Sequence, residues 1–427
     1  MESIKEEIKR KIKDALKRKN VTLVAPMGWG KTTLAAEIAD EFAREGLRVG
    51  YIAPTLTLVD KKWQDLWSKL DNVSIIATAG AGQLCARGYR HFPQRFCSRC
   101  QLRRLPPEGF NPPTALHYSW LKNNLPEDTC PYWVQESLLR RYRVLLGHYG
   151  RLRRFRDIDI LIIDEIHEFL MPEIHQVDLV DLRERYEELD MSSVEALRES
   201  VEVLLVAHPE DEELWLLYDT LHMPITWLED GIVYGAQLRD LPRGVRILGL
   251  TATPPPGWPP EGWELIEIRP EKRPRAYIYS RYEWRYDTLD EVEALYHLTE
   301  ALSFAKRNCI DCRVAVFATS SRQQLFSNVI KERYDADVFD AWGKERIGVD
   351  LLDYDIAVIL WPPLHIEVRR HLRAQGRDPD LIELTNAVQL SGRIRPDSDN
   401  GKIVVFAGRR FTRYVDYLSQ FYEIRRI

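Results

Sequence analysis

The chain has 427 residues, 45% hydrophobic and 29% charged. That is enough for large cores, about three domains' worth at ~150 residues each, and it argues against wholesale disorder. Its 60 Lys and Arg against 65 Asp and Glu leave a net charge of −5, which excludes a protein basic throughout but not local basic patches. No apolar run approaches the ~18–20 residues of a membrane helix, and the N-terminus lacks the apolar core of a signal peptide. A soluble cytoplasmic protein without membrane contact is therefore expected.

Ile4, Ile8, Ile12 and Leu16 recur four apart among Lys and Glu, which predicts an amphipathic helix over 3–17. Val21–Val24 reads as a short buried strand, 32–45 as a helix, Arg48–Ala53 as a strand and 57–70 as a helix. Such alternation predicts a doubly wound parallel sheet. The rhythm breaks over 83–132, a segment rich in Pro, Arg and Cys with little periodicity. It resumes at Ile158–Ile163, an apolar run fit for a central strand. Residues 175–243 are acidic, Leu-rich and helical in pattern, and Val245–Leu250 is a strand again. A Pro-rich loop over 254–260 follows. Beyond 274 a second alternating set appears: a strand at Ile278, a helix over 289–306, strand Val314–Ala318, a helix over 321–333, strand Ile356–Leu360, a helix ending near 392 and a strand over 402–407. The reading is two α/β domains, the first with two insertions.

The segment Ala25-Pro26-Met27-Gly28-Trp29-Gly30-Lys31-Thr32-Thr33 lies between a strand and a helix. Backbone amides of such a loop cradle phosphates, and the helix N-terminus adds partial positive charge. Gly28, Gly30, Lys31, Thr32 and Thr33 are therefore candidate nucleotide-binding residues. Lys31 would reach the β- and γ-phosphates of ATP, and Thr32 would hold Mg²⁺. About 130 residues on, an apolar strand ends in Asp164-Glu165-Ile166-His167. Both acids then sit at the carboxyl edge of a sheet, where ligands bind. Asp164 suits the Mg²⁺ shell, and Glu165 suits activation of the attacking water.

Cys85, Cys97, Cys100 and Cys130 crowd into the irregular segment. Four thiolates can bind tetrahedral Zn²⁺ or an iron–sulfur cluster, and a single CxxC between two lone cysteines favours the cluster. His91 is an alternative ligand. Cys309 and Cys312 make a poor metal site by themselves and read as free thiols or a local disulfide. Around the four cysteines stand Arg87, Arg90, Arg95, Arg99, Arg103 and Arg104, with Tyr89, Phe92 and Phe96. A second group spans 140–156, including Arg151 and Tyr149. Arginines interleaved with aromatics suit single strands, guanidinium meeting phosphate and rings stacking on bases.

The phosphate loop followed by D-E-x-H resembles superfamily 2 helicases, and further stretches fall in family order. Tyr51-Ile52-Ala53-Pro54-Thr55 resembles motif Ia, Leu250-Thr251-Ala252-Thr253-Pro254 motif III and Val316–Ser321 motif IV. Gly343–Asp350 resembles motif V, and Gln389-Leu390-Ser391-Gly392-Arg393-Ile394-Arg395 motif VI. The Cys…Cys-x-x-Cys…Cys-Pro-Tyr insertion between motifs Ia and II resembles the XPD/DinG group of iron–sulfur helicases. Gly147-His148-Tyr149 before motif II and Arg410-Phe411 after motif VI agree with it. Motif VI departs in carrying Pro396 where that family has a second arginine, with Arg395 one place earlier.

The resemblance implies two RecA-like parallel-sheet domains, the first with an iron–sulfur insertion and a small helical arch-like insertion. The implied boundaries are 1–80, 136–172 and 245–272 for helicase domain 1, 81–135 for the four-cysteine insertion, 173–244 for the arch-like insertion and 273–427 for helicase domain 2. It implies that Cys85, Cys97, Cys100 and Cys130 hold [4Fe-4S], and that Asp350, Gln389, Arg393 and Arg395 join the nucleotide site. Arg393 would act as an arginine finger on the γ-phosphate when the domains close. His167, Thr251 and Thr253 would couple ATP state to strand contacts. Pro54, Thr55, Arg87, Arg90, Arg99 and Tyr149 would touch DNA. The implied activity is ATP-driven 5′-to-3′ movement on single-stranded or forked DNA by a monomeric motor, with repair or replication proteins as partners. The competing readings are an ATP-switched DNA clamp and a zinc-bound scaffold of helicase fold that does not unwind.

Overall fold

Val21–Val24 is buried along its whole length, as a strand inside a parallel sheet covered on both faces must be. The computed structural model describes residues 2–427 except 27, 71–72, 91–94, 98–99, 270–272, 282–290, 310, 320–325, 328–329, 332, 343–350, 395 and 397–401. Val21–Val24 is strand β1. It is followed by β2 (Val49–Ala53), β3 (Ile75–Ala77), β4 (Ala115–His117), β5 (Val144–His148) and β6 (Ile160–Ile163). The chain then leaves for a separate sheet of β7 (Glu173–Asp178), β8 (Ile225–Glu229) and β9 (Ile232–Gln237). It returns as β10 (Arg246–Thr251) and β11 (Glu264–Glu267).

Among the described residues the first sheet has eight strands in the order β11-β1-β10-β6-β2-β5-β3-β4. β10, β6, β2 and β5 run parallel, with Gly249 opposite Ile163 and Ile163 opposite Ile52. Their carboxyl ends share one edge, and Asp164 follows directly on β6. Gly249 has a packing reason: a Cβ there would lie 2.5 Å from Cδ1 of Ile166, the first residue of the helix Ile166–Leu170. Only glycine lets that helix start so close to the sheet.

The second sheet has six strands: β12 (Arg275–Tyr279), β13 (Val314–Ala318), β14 (Ala336–Asp340), β15 (Ile356–Leu360), β16 (Ile403–Ala407) and β17 (Glu423–Arg426). Their order is β14-β13-β15-β16-β12-β17, all parallel. Fully buried Phe317, Ile359, Trp361, Phe406 and Phe411 form one of its cores. The chain forms two compact units, one of Met1–Asn20, Thr32–Gly249 and Ile366–His371, the other of Val21–Lys31, Leu250–His365 and Leu372–Ile427.

The insertion expected to be helical is mixed. Helices Val180–Arg185, Val194–Ala207 and Glu212–Leu221 pack Leu197, Val201, Leu204, Leu214 and Leu217 into a core shared with Val177 and Val233 of an antiparallel sheet. Strands β8 and β9 meet at Asp230-Gly231, where φ is +50° and +76°. That is the Asp-Gly chemistry a tight hairpin selects. The four-cysteine segment also contributes a strand, β4, to the first sheet. No helix among the described residues is long and apolar enough to cross a membrane.

Candidate functional site

Between β1 and the helix Lys31–Arg44 the chain turns through Gly28 and Gly30, with φ of +77° and +99°, a backbone for which glycine is the natural residue. Lys31 is 8% exposed and folds back into the loop. Its Nζ donates to the carbonyls of Ala25 (2.8 Å) and Pro26 (3.1 Å). The Ala25 N–H in turn donates to the Thr251 carbonyl (3.1 Å), which ties the loop to the end of β10. Thr32 donates its hydroxyl to Oδ2 of Asp164 at 3.4 Å, and Thr33 is exposed on the same first turn. The first turn of the helix thus sets a hydroxyl against a carboxylate near the positive end of its dipole.

Asp164 is 4% exposed. Oδ2 also accepts from the Tyr51 hydroxyl on β2. Tyr149, next after β5, donates to the backbone carbonyls of Asp164 (2.6 Å) and Glu165 (2.9 Å). Burial first, then the neighbouring carboxylates, pushes both phenols well above their usual range, so they stay protonated donors. Glu165 adopts φ +52°, ψ +57°, a left-handed conformation costing roughly 1–2 kcal/mol for a non-glycine residue. Strain of this kind persists where the surroundings over-determine it. The carboxylate Oε2 of Glu165 is buried without a hydrogen-bond donor among the described residues. Beside it stands the His167 ring, whose Nδ1 lies 3.5 Å away and whose Nε2 lies 3.5 Å from Glu168.

Thr251 is fully buried, and its Oγ1 accepts from the Thr253 N–H (3.0 Å). Oγ1 of Thr253 has no partner among the described residues, and neither Oε1 nor Nε2 of Gln389 has one, although Gln389 is 1% exposed. A buried amide without partners costs free energy unless something supplies them. Arg393 is buried at 7% exposure in the turn after helix Pro379–Ser391, and its carbonyl accepts from the Leu351 N–H. Asp350, Arg395 and Arg99 lie outside the described residues. Pro54 precedes Thr55, whose hydroxyl accepts from the Leu58 N–H (3.2 Å) and caps helix Leu56–Asp65.

All four cysteines of the first insertion are free, Cys130 buried and Cys85, Cys97 and Cys100 half-buried. Cys97 Sγ accepts from Trp133 Nε1 at 3.4 Å. Burial raises the Cys130 thiol, and Cys97 and Cys100 add to it against the backbone N–H groups of Trp133 and Tyr132. Leu84, next to Cys85, shares an apolar cluster with Cys130, Tyr132, Leu102 and Trp133. The donor chemistry therefore suits a thiolate-bound cluster. Among the described residues, however, no group of three or more His, Cys, Asp and Glu is gathered closely enough to hold a metal ion. His91 lies outside the described residues. Cys309 and Cys312 are joined in a disulfide.

Several basic and aromatic candidates have other work. Arg95 pairs with Asp219 and lies 4.2 Å over the Trp215 ring. The Arg90 N–H donates to Glu212 (2.8 Å) and the Tyr89 hydroxyl to Glu210 (3.3 Å), so the cysteine segment is fastened to the acidic insertion. Arg151 is 3% exposed and paired with half-buried Glu136. Tyr149 is 5% exposed. This corrects its reading as a base-stacking ring: its hydroxyl is engaged beneath the acidic pair. The side chains of Arg87, Arg90, Arg103 and Arg104 remain exposed. Sequence reasoning assigned no role to Tyr51, although a tyrosine in a fully buried strand needs a polar partner for its hydroxyl.

No protein-family model matches the chain, and no curated protein matches it. Among solved structures, an XPD helicase superposes with a TM-score of 0.71 at 14% identity, covering 99% of each chain. An apo XPD structure gives 0.62 at 14% identity, covering 99% of this chain and 100% of that one. Xpd4 of S. tokodaii gives 0.54 at 11% identity, covering 99% of each. The chain has the fold of these proteins, two parallel-sheet domains of helicase architecture.

Proposed function

We propose that this chain is an ATP-driven motor that moves 5′ to 3′ on single-stranded DNA and separates forked duplexes. One observation carries the reading: at the carboxyl edge of a parallel sheet, Thr32 of a phosphate loop meets Asp164 of an acidic turn. Glu165 follows it with an unsatisfied carboxylate oxygen. Thr32 and Asp164 would hold Mg²⁺ on the β- and γ-phosphates. Glu165 would take the proton of the attacking water. Lys31 would exchange the carbonyls of Ala25 and Pro26 for phosphate oxygens. Gln389 and Arg393 belong to the γ-phosphate side of the cycle, which accounts for an amide buried without partners. Asp350, Arg395, Thr251, Thr253 and His167 keep the parts the family resemblance gives them.

Cys85, Cys97, Cys100 and Cys130 would hold a [4Fe-4S] cluster, which when bound cross-links a segment with little core of its own. Exposed Arg87, Arg90, Arg103 and Arg104 with Pro54 and Thr55 would line the strand path. Replication or repair proteins would be its partners. The domain boundaries given above go with this reading.

Unwinding of tailed duplexes tests it. A duplex with a 5′ single-stranded tail is separated in the presence of Mg²⁺ and ATP, and one with a 3′ tail is left intact. Separation of neither, with normal ATP turnover, would remove the helicase reading and leave an ATP-switched clamp.

A further inference from the structure

The insertion between β6 and β10 leaves and re-enters the first sheet beside the acidic turn. Glu173 opens β7, its outgoing end, and stands opposite Gln237 on β9, the returning end. Arg239, two residues beyond, pairs with Oε2 of Glu173 at 3.0 Å. The same oxygen accepts from Gln237 Nε2 (3.0 Å), and Oε1 lies 3.2 Å from His175 Nε2. One carboxylate thus closes the neck of the insertion.

The Arg239 guanidinium also lies 5.2 Å from the ring centroid of Tyr149 and 6.0 Å from that of Phe169. Those two rings meet edge to face at 5.2 Å. Tyr149 is held on both sides, and its one hydroxyl proton is shared between the carbonyls of Asp164 and Glu165. These are the two peptides that must turn for Glu165 to occupy its left-handed conformation.

We propose that Tyr149 is a positioning residue for ATP hydrolysis, holding the Asp164–Glu165 turn in the conformation that aims both carboxylates, and that Arg239 holds Tyr149. The proposal rests on the hydrolytic reading above. It makes the neck of the acidic insertion part of the catalytic apparatus: movement there reaches Glu165 through one ring and one hydroxyl. Misplacement of a catalytic group by about 1 Å is enough to slow a reaction by about 10²-fold.

Steady-state ATP turnover of the full chain tests it, in wild type and in the variants Tyr149→Phe, Arg239→Gln and Arg239→Lys. Tyr149→Phe keeps the ring and lowers kcat about tenfold while leaving KM for ATP within about twofold. Arg239→Gln acts in the same direction. Arg239→Lys recovers part of the rate, because it keeps the charge on Glu173 but not the planar stack. The double variant Tyr149→Phe/Arg239→Gln is no slower than the slower single one, as expected for residues acting as a unit. The control is Tyr142→Phe, which removes another buried hydroxyl that donates to a backbone carbonyl, that of Pro113; it leaves kcat unchanged. Wild-type kcat in Tyr149→Phe, or an equal fall in Tyr142→Phe, would overturn the positioning role and leave the hydrolytic reading standing. Absence of turnover in the wild type itself would overturn both.

Discussion

The hydroxyl of Thr32 lies 3.4 Å from Oδ2 of Asp164, 132 positions later in the chain. Thr32 lies in the first turn of its helix and Asp164 directly follows β6, and Tyr51 holds the same carboxylate oxygen from β2. Outer partners of a metal-binding carboxylate orient it, and their loss commonly costs 10–100-fold in metal affinity. Tyr51→Phe should therefore raise the Mg²⁺ concentration for half-maximal ATP turnover by about tenfold. A magnesium titration reads this directly. An unchanged titration would place the metal elsewhere.

Glu165→Gln should bind nucleotide as the wild type does and lose turnover by about 10²–10⁴-fold, the usual contribution of a general base. Equilibrium binding of a fluorescent ATP analogue, set beside the turnover rate, separates the two effects. Loss of binding along with turnover would mean that the carboxylate shapes the site instead of acting on water.

The neck of the acidic insertion carries a pH signature. Burial alone would raise the Glu173 carboxyl, but the His175 hydrogen bond and the Arg239 charge hold it at about 2, against an ordinary 4.5. A carboxyl depressed on folding adds stability above its unfolded pKa and loses it as pH falls toward the folded one. The contribution is at most about 3 kcal/mol. Glu173→Gln should melt below wild type at neutral pH, and the gap should close as pH falls from 4.5 toward 2. A gap independent of pH would contradict the assignment.

Cys97→Ser removes the thiol that accepts from Trp133. In protein purified without oxygen it should abolish visible absorption and bound iron, and impair duplex separation more than ATP turnover. Zinc in place of iron in the wild type would overturn the cluster.

Much of the architecture was legible because buried parallel strands leave unmistakable apolar runs. Val314–Ala318 and Ile356–Leu360 have the bounds expected from sequence, and Val21–Val24 and Ile160–Ile163 carry the loop and the acids at their ends. Strands of three residues such as β3 and β4 are too short to display a period. The charged edge strand Glu423–Arg426 is mostly exposed and resembles a solvated tail. The acidic insertion read as helical because its helices supply most of its leucines, and Asp230-Gly231 was the overlooked hairpin signal. Within the site, residue types announced Lys31, Thr32, Asp164 and Glu165. What a sequence does not display is which aromatic side chain is covered. Tyr149, among arginines, reads as a nucleic-acid contact until its burial beneath the acidic pair is seen.

The most direct test of the account is steady-state ATP hydrolysis by anaerobically purified protein, with and without single-stranded DNA. The account predicts turnover that DNA stimulates strongly and that Glu165→Gln abolishes. Low turnover indifferent to DNA, in protein whose iron content is intact, would contradict it.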